Sequence, residues 1–424
     1  MNRTLYTTLL TLLTPLVLLR QWVRSRRQSG GVRLVEVMGW GPPPPRADIW
    51  VHAVSVGEVL AAEPLIRRLR DAGDEQIIVT TTTPTGAAMV RERLGGQVTH
   101  RFTPLDLPWL QRRFIKAVQP RRIVVMETEI WPNMLAAAES AGIRVILANA
   151  RLSERSRRRY ARIPRLIRPA LNRFHWIACR NTLDRDRFIA LGADAERVTA
   201  NGDIKFDIAI SPDDQTAVEA LKPSVQGRPV VILASTHDGE EAPLIERLEV
   251  LRQALPELLI IVAPRHPQRF DAVADLLQRH DVRFVRRSQG LPSPDTAYWL
   301  LDTLGELKRF YGLAEVAFMG GSLVPVGGHN PLEAALWHCP VVTGPHVDNF
   351  EALSTNMEAA GILKRTADAG AAVGVIQEWL TGDSSGRQAL ESRASAFIAE
   401  NQGATDRLVR GVAESASDQN QRSL

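Results

Sequence analysis

Short apolar runs alternate with amphipathic stretches along most of this chain. Residues 49–54 form a continuous apolar run of strand length, and residues 59–70 repeat apolar side chains at the spacing of one helical face. The alternation continues, with further predicted strands at residues 76–83, 122–126, 144–148 and 176–179. Continuous apolar strands separated by helices are typical of a parallel sheet that is covered on both faces.

The periodicity lapses near residues 201–213 and then starts again. The second series of predicted strands lies at residues 229–234, 258–262, 282–285, 298–301, 316–319 and 341–342. Since 424 residues are too many for one typical core, the pattern predicts an α/β protein with two doubly wound domains. We place these domains at residues 31–210 and 211–414, and we expect the polar tail, 415–424, to be frayed.

Residues 1–30 follow a different pattern. Residues 4–19 are rich in leucine, and arginines follow from Arg20 onward, where a signal peptide would need small residues for cleavage. The apolar run is shorter than the roughly 20 residues of a standard membrane span. We therefore predict a membrane anchor or an interfacial helix in residues 1–30, with its arginines on the cytoplasmic side. A helix packed on the first domain is the alternative.

Composition narrows the function classes. The net charge of +5 is supplied by the arginines of residues 1–30, so the rest of the chain is balanced, which argues against a general nucleic-acid binder. The two cysteines, Cys179 and Cys339, form no disulfide framework and fit a reducing compartment. The histidines contain no HExxH motif and follow separate predicted strands, so we predict no metal site.

Acidic side chains follow two strands of the first predicted domain, at the sheet edge where ligands of parallel sheets bind. Glu58 comes at the start of a predicted helix, where a carboxylate is either a general base or an acid favoured by the helix dipole. Glu127 and Glu129 stand two apart after another strand, a pattern that packing rarely requires. Lys205, one of five lysines, lies at the domain junction as a cation for a phosphate or carboxylate, or as a solvated linker residue.

The second predicted domain carries the features of a nucleotide site. Arg265 follows a strand and could grip a phosphate with its forked guanidinium. Two glycine pairs lie in residues 320–328, with Asn330 as a helix cap and Pro331 in the first helical turn, which favours an anion site. Glu333 could then accept ribose hydroxyls. A tight strand-to-helix turn without a ligand is the alternative.

Eight motifs, in order along residues 33–400, resemble those of the transferases of 3-deoxy-D-manno-octulosonic acid (Kdo). They are HAVSVGE (52–58), METEIWPN (126–133), NARLSERS (149–156), GDIKFD (202–207), ASTHDGEE (234–241), APRHPQRF (263–270), DTLGEL (302–307) and GGSLVPVGGHNPLE (320–333). Two departures, THDGEE and a Gly-Asp where Gly-Asn is expected, leave the site residues named below unchanged.

The resemblance implies a GT-B fold, which is two Rossmann-like domains with a cleft between them. It implies that the acceptor lipid binds the first domain and CMP-Kdo the second. Glu58 resembles the family's proton acceptor, while Glu127 and Lys205 resemble its transition-state stabilisers, with Glu129 as the alternative to Glu127. The residues that resemble donor-binding positions are Pro264, Arg265, Leu304, Gly305, Glu306, Asn330, Pro331, Leu332 and Glu333.

The implied function is an inverting, metal-independent transfer of Kdo from CMP-Kdo to a lipid A precursor in lipopolysaccharide biosynthesis, without a cofactor. The implied location is the cytoplasmic face of the bacterial inner membrane, anchored by residues 4–19 and held on anionic lipids. Arginines between residues 151 and 173 would hold acceptor phosphates or headgroups, unless they form a solvated basic helix. The alternatives are a UDP-sugar glycosyltransferase and a non-catalytic nucleotide-binding membrane protein. The number of Kdo units transferred stays open.

Overall fold

Two parallel sheets of seven strands each organise the described residues of this computed structural model, which are 1–27, 34–73, 75–207, 210–225 and 227–421. The chain divides into two compact units, one of residues 1–208 with 401–424 and the other of residues 209–400. Each sheet is parallel throughout its strand pairs and has helices packed against it. The predicted doubly wound α/β fold is confirmed.

The first sheet has the strand order β3-β2-β1-β4-β5-β6-β7. Its strands are β1 (Ile49–His52), β2 (Ile77–Thr81), β3 (Thr99–Phe102), β4 (Arg122–Met126), β5 (Arg144–Ala150), β6 (Trp176–Cys179) and β7 (Val198–Ala200). The central strands are fully buried because helices cover both faces with apolar side chains.

The helices of the first unit connect these strands. They are α1 (Arg3–Arg27), α2 (Leu34–Val37), α3 (Val56–Asp71), α4 (Pro84–Leu94), α5 (Pro108–Val118), α6 (Pro132–Ser140), α7 (Glu154–Ala161), α8 (Pro164–Leu171) and α9 (Thr182–Ala190), with short 3-10 turns at Ala195–Arg197 and Ile204–Asp207. Four of them begin with proline at the first turn, where the missing N–H costs nothing.

The second sheet has the order β10-β11-β9-β8-β12-β13-β14. Its strands are β8 (Val230–Thr236), β9 (Leu259–Pro264), β10 (Phe284–Arg286), β11 (Tyr298–Leu300), β12 (Val316–Met319), β13 (Val341–Thr343) and β14 (Leu363–Arg365). Its helices are α10 (Pro212–Val225), α11 (Glu241–Ala254), α12 (Phe270–Arg279), α13 (Leu307–Phe310), α14 (Leu332–Leu336), α15 (Glu351–Ala359), α16 (Ala369–Thr381) and α17 (Ser384–Asn401), with 3-10 turns at Pro267–Arg269 and Tyr311–Leu313.

Three strands, β3, β7 and β14, were not predicted from the sequence. Each lies at the edge of its sheet and has three or four residues. Edge strands are covered by fewer neighbours, so they lack the continuous apolar run that identified the others.

The last helix, α18 (Ala404–Gln421), belongs to the first unit. The sequence prediction had placed residues up to 414 in the second domain. Ala404, Leu408 and Val412 are instead buried in the core formed by β1, β2, β4 and α3. The predicted frayed tail is helical as far as Gln421, and the predicted boundary at residue 30 lies outside the described residues.

Helix α1 packs on α2, α6 and α8 of the first unit. Among the described residues, none of the helices combines the length and the apolarity that crossing a membrane requires.

Candidate active site

The carboxyl edge of each sheet has one point where the strand order reverses. In the first sheet the chain leaves β1 toward β2 and β3 and then returns to β4 on the other side of β1. In the second sheet the reversal lies between β8 and β12. Ligands of doubly wound proteins bind at such switch points because the loops diverge there and leave a crevice.

Glu58 lies at the switch point of the first sheet. Helix α3 begins directly after β1, and Glu58 is in its first turn, with Ser55 as the N-cap residue. The Glu58 Oε2 atom accepts a hydrogen bond of 2.7 Å from the Val54 N–H, and Oε1 lies 3.4 Å from the Ser55 hydroxyl. One oxygen is therefore held by the backbone while the other is available to a ligand.

The environment of Glu58 raises its pKa to about 7. Burial is the main cause, and the negative charges of Glu129 and Glu127 add to it, while the Val54 N–H acts in the opposite direction. A carboxyl group in this state can bind and release a proton near neutral pH.

Glu127 follows β4 on the other side of the switch point. Its side chain is buried and forms an ion pair of 2.7 Å with Arg151, which follows β5. Its backbone has a φ of +56°, a left-handed conformation that L residues other than Gly, Asn and Asp adopt at a cost of about 1 kcal/mol. Such strain at a strand end is typical of functional sites.

Glu129 is placed by the indole of Trp131. The Trp131 Nε1–H donates to Glu129 Oε2 at 2.6 Å. Burial raises the pKa of Glu129, and the charge of Glu127 contributes in the same direction. The structure thus brings Glu58, Glu127 and Glu129 into one electrostatic group at the carboxyl edge of the first sheet.

Lys205 lies on the 3-10 turn Ile204–Asp207, and its side chain is exposed. The Ile204 N–H donates to the Asn149 side chain at 3.3 Å, and the Lys205 N–H donates to Asp203 at 3.1 Å. The Asp207 carboxylate accepts the N–H groups of Gly403 and Thr405 at the start of α18. This segment is therefore an ordered part of the first unit rather than a free linker.

In the second unit, the first glycine turn holds a protein carboxylate. The Glu240 side chain is fully buried and accepts the N–H groups of Gly321 at 2.7 Å, Ser322 at 3.0 Å and Leu323 at 2.9 Å. It also accepts the His237 N–H at 2.9 Å. We had predicted that backbone N–H groups of the glycine-rich stretch bind an external anion, but in this turn Glu240 is that anion.

Helix α14 begins at Leu332 with Pro331, rather than the predicted Asn330, as its N-cap residue, and the Asn330 side chain accepts the Leu332 N–H at 3.2 Å from one position earlier. The helix is only five residues long. Glu333 lies in its first turn, and burial raises the pKa of this carboxyl group, against the opposing charges of Lys308 and Arg265.

The other predicted donor residues lie on neighbouring loops of the same edge. Pro264 ends β9 and Arg265 is exposed directly after it. The loop after β11 carries Leu304, which is 75% exposed, and Glu306, whose carboxylate accepts from Arg287 at 3.1 Å and from the Thr303 hydroxyl.

Two histidines of this edge are hydrogen-bonded to each other. The Nε2 atoms of His237 and His329 are 2.8 Å apart, and the two rings lie end to end, with centroids 5.1 Å apart and planes 11° apart. His266 packs edge-on against His237. Within the described residues, no group of three or more His, Cys, Asp or Glu side chains is placed to hold a metal ion.

Comparisons with known proteins identify the family. Residues 31–208 match the family model described as 3-deoxy-D-manno-octulosonic-acid transferase (kdotransferase). The 3-deoxy-D-manno-octulosonic acid transferase of Haemophilus influenzae is 39% identical over 420 residues, which are 96% of this chain and 97% of the relative. This chain belongs to the Kdo transferase family. The Kdo transferase of Bordetella pertussis is likewise 39% identical, over 96% of this chain and 98% of its own.

The family membership makes the protein a glycosyltransferase, as the motifs had predicted. A glycosyltransferase from Rickettsia africae superposes with a TM-score of 0.55 over 88% of this chain and 98% of its own, at 11% identity. The UDP-GlcNAc 2-epimerase of Neisseria meningitidis gives the same score over 83% of this chain and 98% of its own, at 13% identity. At these identities the likeness concerns the fold, which is the GT-B arrangement of two Rossmann-like domains.

Proposed function

We propose that this Kdo transferase moves Kdo from CMP-Kdo to a sugar hydroxyl of a lipid A precursor, with Glu58 as the general base. The observation that carries the proposal is the position of Glu58 at the switch point of the first sheet together with its raised pKa, about 7. A base whose pKa lies near the working pH combines a useful fraction of the ionised form with enough basicity to take a proton.

The hydrogen bonds of Glu58 support this role. Oε2 is fixed by the Val54 N–H, so the carboxylate cannot rotate freely, and Oε1 can accept the proton of the attacking hydroxyl. Positioned proton transfer of this kind contributes on the order of 10²–10⁴ in rate. Attack on the face opposite the departing CMP inverts the configuration at the anomeric carbon.

Glu127 is the proposed stabiliser of the positive charge that develops on the sugar. The transition state of glycosyl transfer has oxocarbenium character, and a nearby carboxylate favours it. Arg151 and the left-handed backbone hold Glu127 in one position before the substrate arrives, so little reorganisation is needed. Glu129, which is bound to Trp131, is proposed to tune the pKa of Glu58.

The departing CMP gains negative charge, which cations of the chain are proposed to compensate. Lys205 supplies one positive charge from an ordered turn of the first unit. Arg265 supplies another in the second unit, where it lies close enough to act on the charges of Glu333, His237 and His329. The complete proposed donor site consists of Pro264, Arg265, Leu304, Gly305, Glu306, Asn330, Pro331, Leu332 and Glu333. These groups could stabilise the leaving group without a metal ion.

Helix α1 is proposed to lie in the membrane surface. Its polar face faces the protein, since the Tyr6 hydroxyl donates to Asp106 at 3.1 Å and the Thr7 hydroxyl contacts Asn133 at 3.1 Å. Its opposite face is an exposed leucine stripe, which we define as Leu5, Leu9, Leu12, Leu13, Leu16 and Leu19. Apart from the adjacent Leu12 and Leu13, these positions recur every three or four residues, so the stripe lies on one face of the helix. An exposed apolar stripe of this length fits the interfacial region of a bilayer.

Helix α7 adds positive charge near the stripe. It has no buried residue, and both α7 and α1 pack on α8. Arg155, Arg158, Arg159 and Arg162 line an open surface pocket together with Glu154. Guanidinium groups on an exposed helix can bind the phosphates of a lipid A precursor or of anionic headgroups. We therefore propose the membrane surface as the working location, on its cytoplasmic side.

The test is an assay of the full chain with a tetraacylated lipid A precursor and CMP-Kdo, read by mass spectrometry. We expect a product that is heavier than the acceptor by one or more Kdo units, and the mass difference counts them. A parallel reaction with a UDP-sugar should give no product. Product from the UDP-sugar alone would overturn the proposed donor.

A further inference from the structure

Arg151 extends toward the carboxylates of the first sheet from a backbone that is fixed on both sides. It directly follows β5, and its N–H donates to the Glu127 carbonyl at 3.4 Å while its own carbonyl accepts the Thr128 hydroxyl at 3.1 Å. The next N–H, that of Leu152, donates to the Asp184 carboxylate at 2.9 Å. The position of Arg151 is therefore set by the chain itself before any ligand binds.

The guanidinium of Arg151 is paired on one side and exposed on the other. Its Nε atom lies 2.7 Å from Oε2 of Glu127. The Glu127 side chain is only 7% exposed, whereas that of Arg151 is 51% exposed. Within the described ranges of the chain, Glu127 is the ion-pair partner of Arg151, and a guanidinium presents several N–H donors in a planar fork. The outer edge of Arg151 can thus still bind a carboxylate with two parallel hydrogen bonds.

The donor sugar would bring a further negative charge to this place. An octulosonic acid carries its carboxylate directly on the anomeric carbon, so a Kdo that reacts beside Glu58 presents this carboxylate to the same group of side chains. In that group Glu58, Glu127 and Glu129 already repel one another. Because like charges at short range disfavour binding, the site needs a cation with unused donors.

Arg151 fits this requirement better than Lys205. Lys205 is exposed on its 3-10 turn, and its ammonium is a compact point charge without a planar fork. The Arg151 guanidinium already contacts Glu127, so an anion on its outer edge would lie one side chain away from the proposed stabiliser of the sugar's positive charge.

We propose that Arg151 binds the carboxylate of the donor sugar and so selects a sugar acid over a neutral sugar. Glu127 occupies the Nε side of the guanidinium and the sugar carboxylate its outer edge, so the cation lies between two negative groups that would otherwise repel each other. A neutral sugar would leave this outer edge without its partner, and an unpaired charged donor is costly. The inference rests on the proposed function, which places the anomeric carbon of Kdo beside Glu58 and Glu127.

The experiment compares transfer from CMP-Kdo with transfer from its carboxamide, in which a neutral amide replaces the carboxylate. The ratio of the two kcat/KM values, acid over amide, is measured for the full-length wild type and for Arg151→Gln with the same lipid A precursor. We expect this ratio to be about 10–100-fold lower in Arg151→Gln, because hydrogen bonds to a charged group contribute more than those to a neutral one. Any difference in intrinsic reactivity between the donors cancels, since both proteins are tested with the same pair.

Three further variants separate recognition of the sugar from support of Glu127. Arg151→Lys should give an intermediate ratio, because lysine keeps the charge but not the planar fork. Glu127→Gln should lower both rates and keep the wild-type ratio, since it leaves Arg151 in place. Arg67→Gln is the matched control and should leave both rates unchanged, because the Arg67 Nε–H also donates to a glutamate, Glu63 at 3.1 Å, but on the later half of α3.

Two results would overturn the inference while leaving the proposed function in place. If Arg151→Gln slows transfer from both donors by the same factor, Arg151 only positions Glu127. If the ratio falls in Lys205→Met and not in Arg151→Gln, the carboxylate binds the lysine. A wild type that gives no product from CMP-Kdo would instead remove the proposed donor, and this inference with it.

Discussion

Glu58 has a structural and a chemical role in the same side chain. Its contact with the Val54 N–H resembles the capping arrangement in which an acid in the first helical turn reaches back to the preceding backbone. The same contact keeps the carboxylate at the strand end and leaves Oε1 with only the 3.4 Å contact from the Ser55 hydroxyl. The sequence left two interpretations of Glu58 open, a general base and an acid favoured by the helix dipole. Both are compatible with this geometry.

The charge of Glu129 should set the pH range of the reaction. The base works as a carboxylate, so the rate should rise as the pH rises through about 7, the raised pKa of Glu58. Glu129→Gln removes a negative charge that raises this pKa, so the midpoint of the pH–rate profile should move to lower pH while the plateau at high pH is retained. The measurement is kcat/KM between pH 5 and 9.

Glu139→Gln is the control for this shift. Glu139 lies at the far end of α6 and pairs with Arg173 at the surface. The pH–rate profile of Glu139→Gln should therefore match that of the wild type. Glu127→Gln should instead lower the plateau itself. A midpoint that moves upward, or does not move, in Glu129→Gln would contradict the electrostatic coupling.

At the residue scale, the sequence predicted where charged side chains lie along the sheet better than it predicted which groups they contact. The positions of Glu127 and Arg265 were predictable because these residues follow apolar strands directly, and that of Glu58 because it begins the helix after the first strand. The partner of the first glycine turn could not, because ASTHDGEE offers three carboxylates and nothing in its pattern says that Glu240 is the one that turns inward. The Arg151–Glu127 pair was missed for a similar reason, since Arg151 begins an arginine-rich run.

At the element scale, the turn between β12 and α14 depends on Glu240. Glu240→Gln places an amide NH₂ group against backbone N–H donors, so we expect a loss of about 2–4 kcal/mol in the free energy of unfolding of the second unit. The measurement is urea denaturation followed by circular dichroism.

Asp238→Asn is the matched control, because Asp238 is in the same loop but its side chain is 90% exposed. Its pairing with Arg269 at the surface should contribute less than about 1 kcal/mol. If Glu240→Gln unfolds at the same urea concentration as Asp238→Asn, the buried carboxylate does not hold the turn.

The leucine stripe of α1 should bind lipid. Leu12→Glu combined with Leu16→Glu should weaken binding to vesicles that contain anionic lipids by on the order of 10²–10⁴, because burying each leucine contributes about 1.5–3 kcal/mol. Sedimentation with vesicles measures this. Leu183→Glu is the control, since Leu183 is 57% exposed on α9 and outside the stripe. Equal binding of all three proteins would refute the interfacial placement of α1.

The pattern of α1 could not decide its orientation from sequence alone. Threonines are scattered among the leucines of residues 4–19 and no residue there is charged, so either side could have packed on the protein. The hydrogen bonds of Tyr6 and Thr7 to Asp106 and Asn133 decide it, and these partners are about 100 residues or more away along the chain. Long-range polar contacts leave no periodic signal.

At the scale of the whole molecule, the chain returns to its first unit after completing the second. Removing residues 402–424 deletes the buried side chains of Ala404, Leu408 and Val412 and the bond from Arg122 to the Val412 carbonyl. We expect the first unit to lose more than about 5 kcal/mol, a large part of a typical domain's stability, while the second unit keeps its own transition. Differential scanning calorimetry measures both.

Removing residues 415–424 is the matched control, because the three buried side chains all precede residue 415. It should leave both transitions in place. A first unit that melts at the wild-type temperature without residues 402–424 would show that α18 is dispensable. The number of domains and the parallel sheets were predictable from alternating apolar runs. The return of the chain to the first unit with α18 was not, because the sequence of an amphipathic helix does not show which sheet the helix covers.

The central claim is that Glu58 takes the proton of the acceptor hydroxyl, and the single-turnover transfer rate of Glu58→Gln at pH 8 tests it most directly. Glutamine keeps the contact with the Val54 N–H but cannot accept the proton. The predicted result is a rate on the order of 10²–10⁴ below that of the wild type with CMP affinity unchanged. A rate within about tenfold of the wild type would contradict the claim and turn attention to Glu127 and Glu129 as the base.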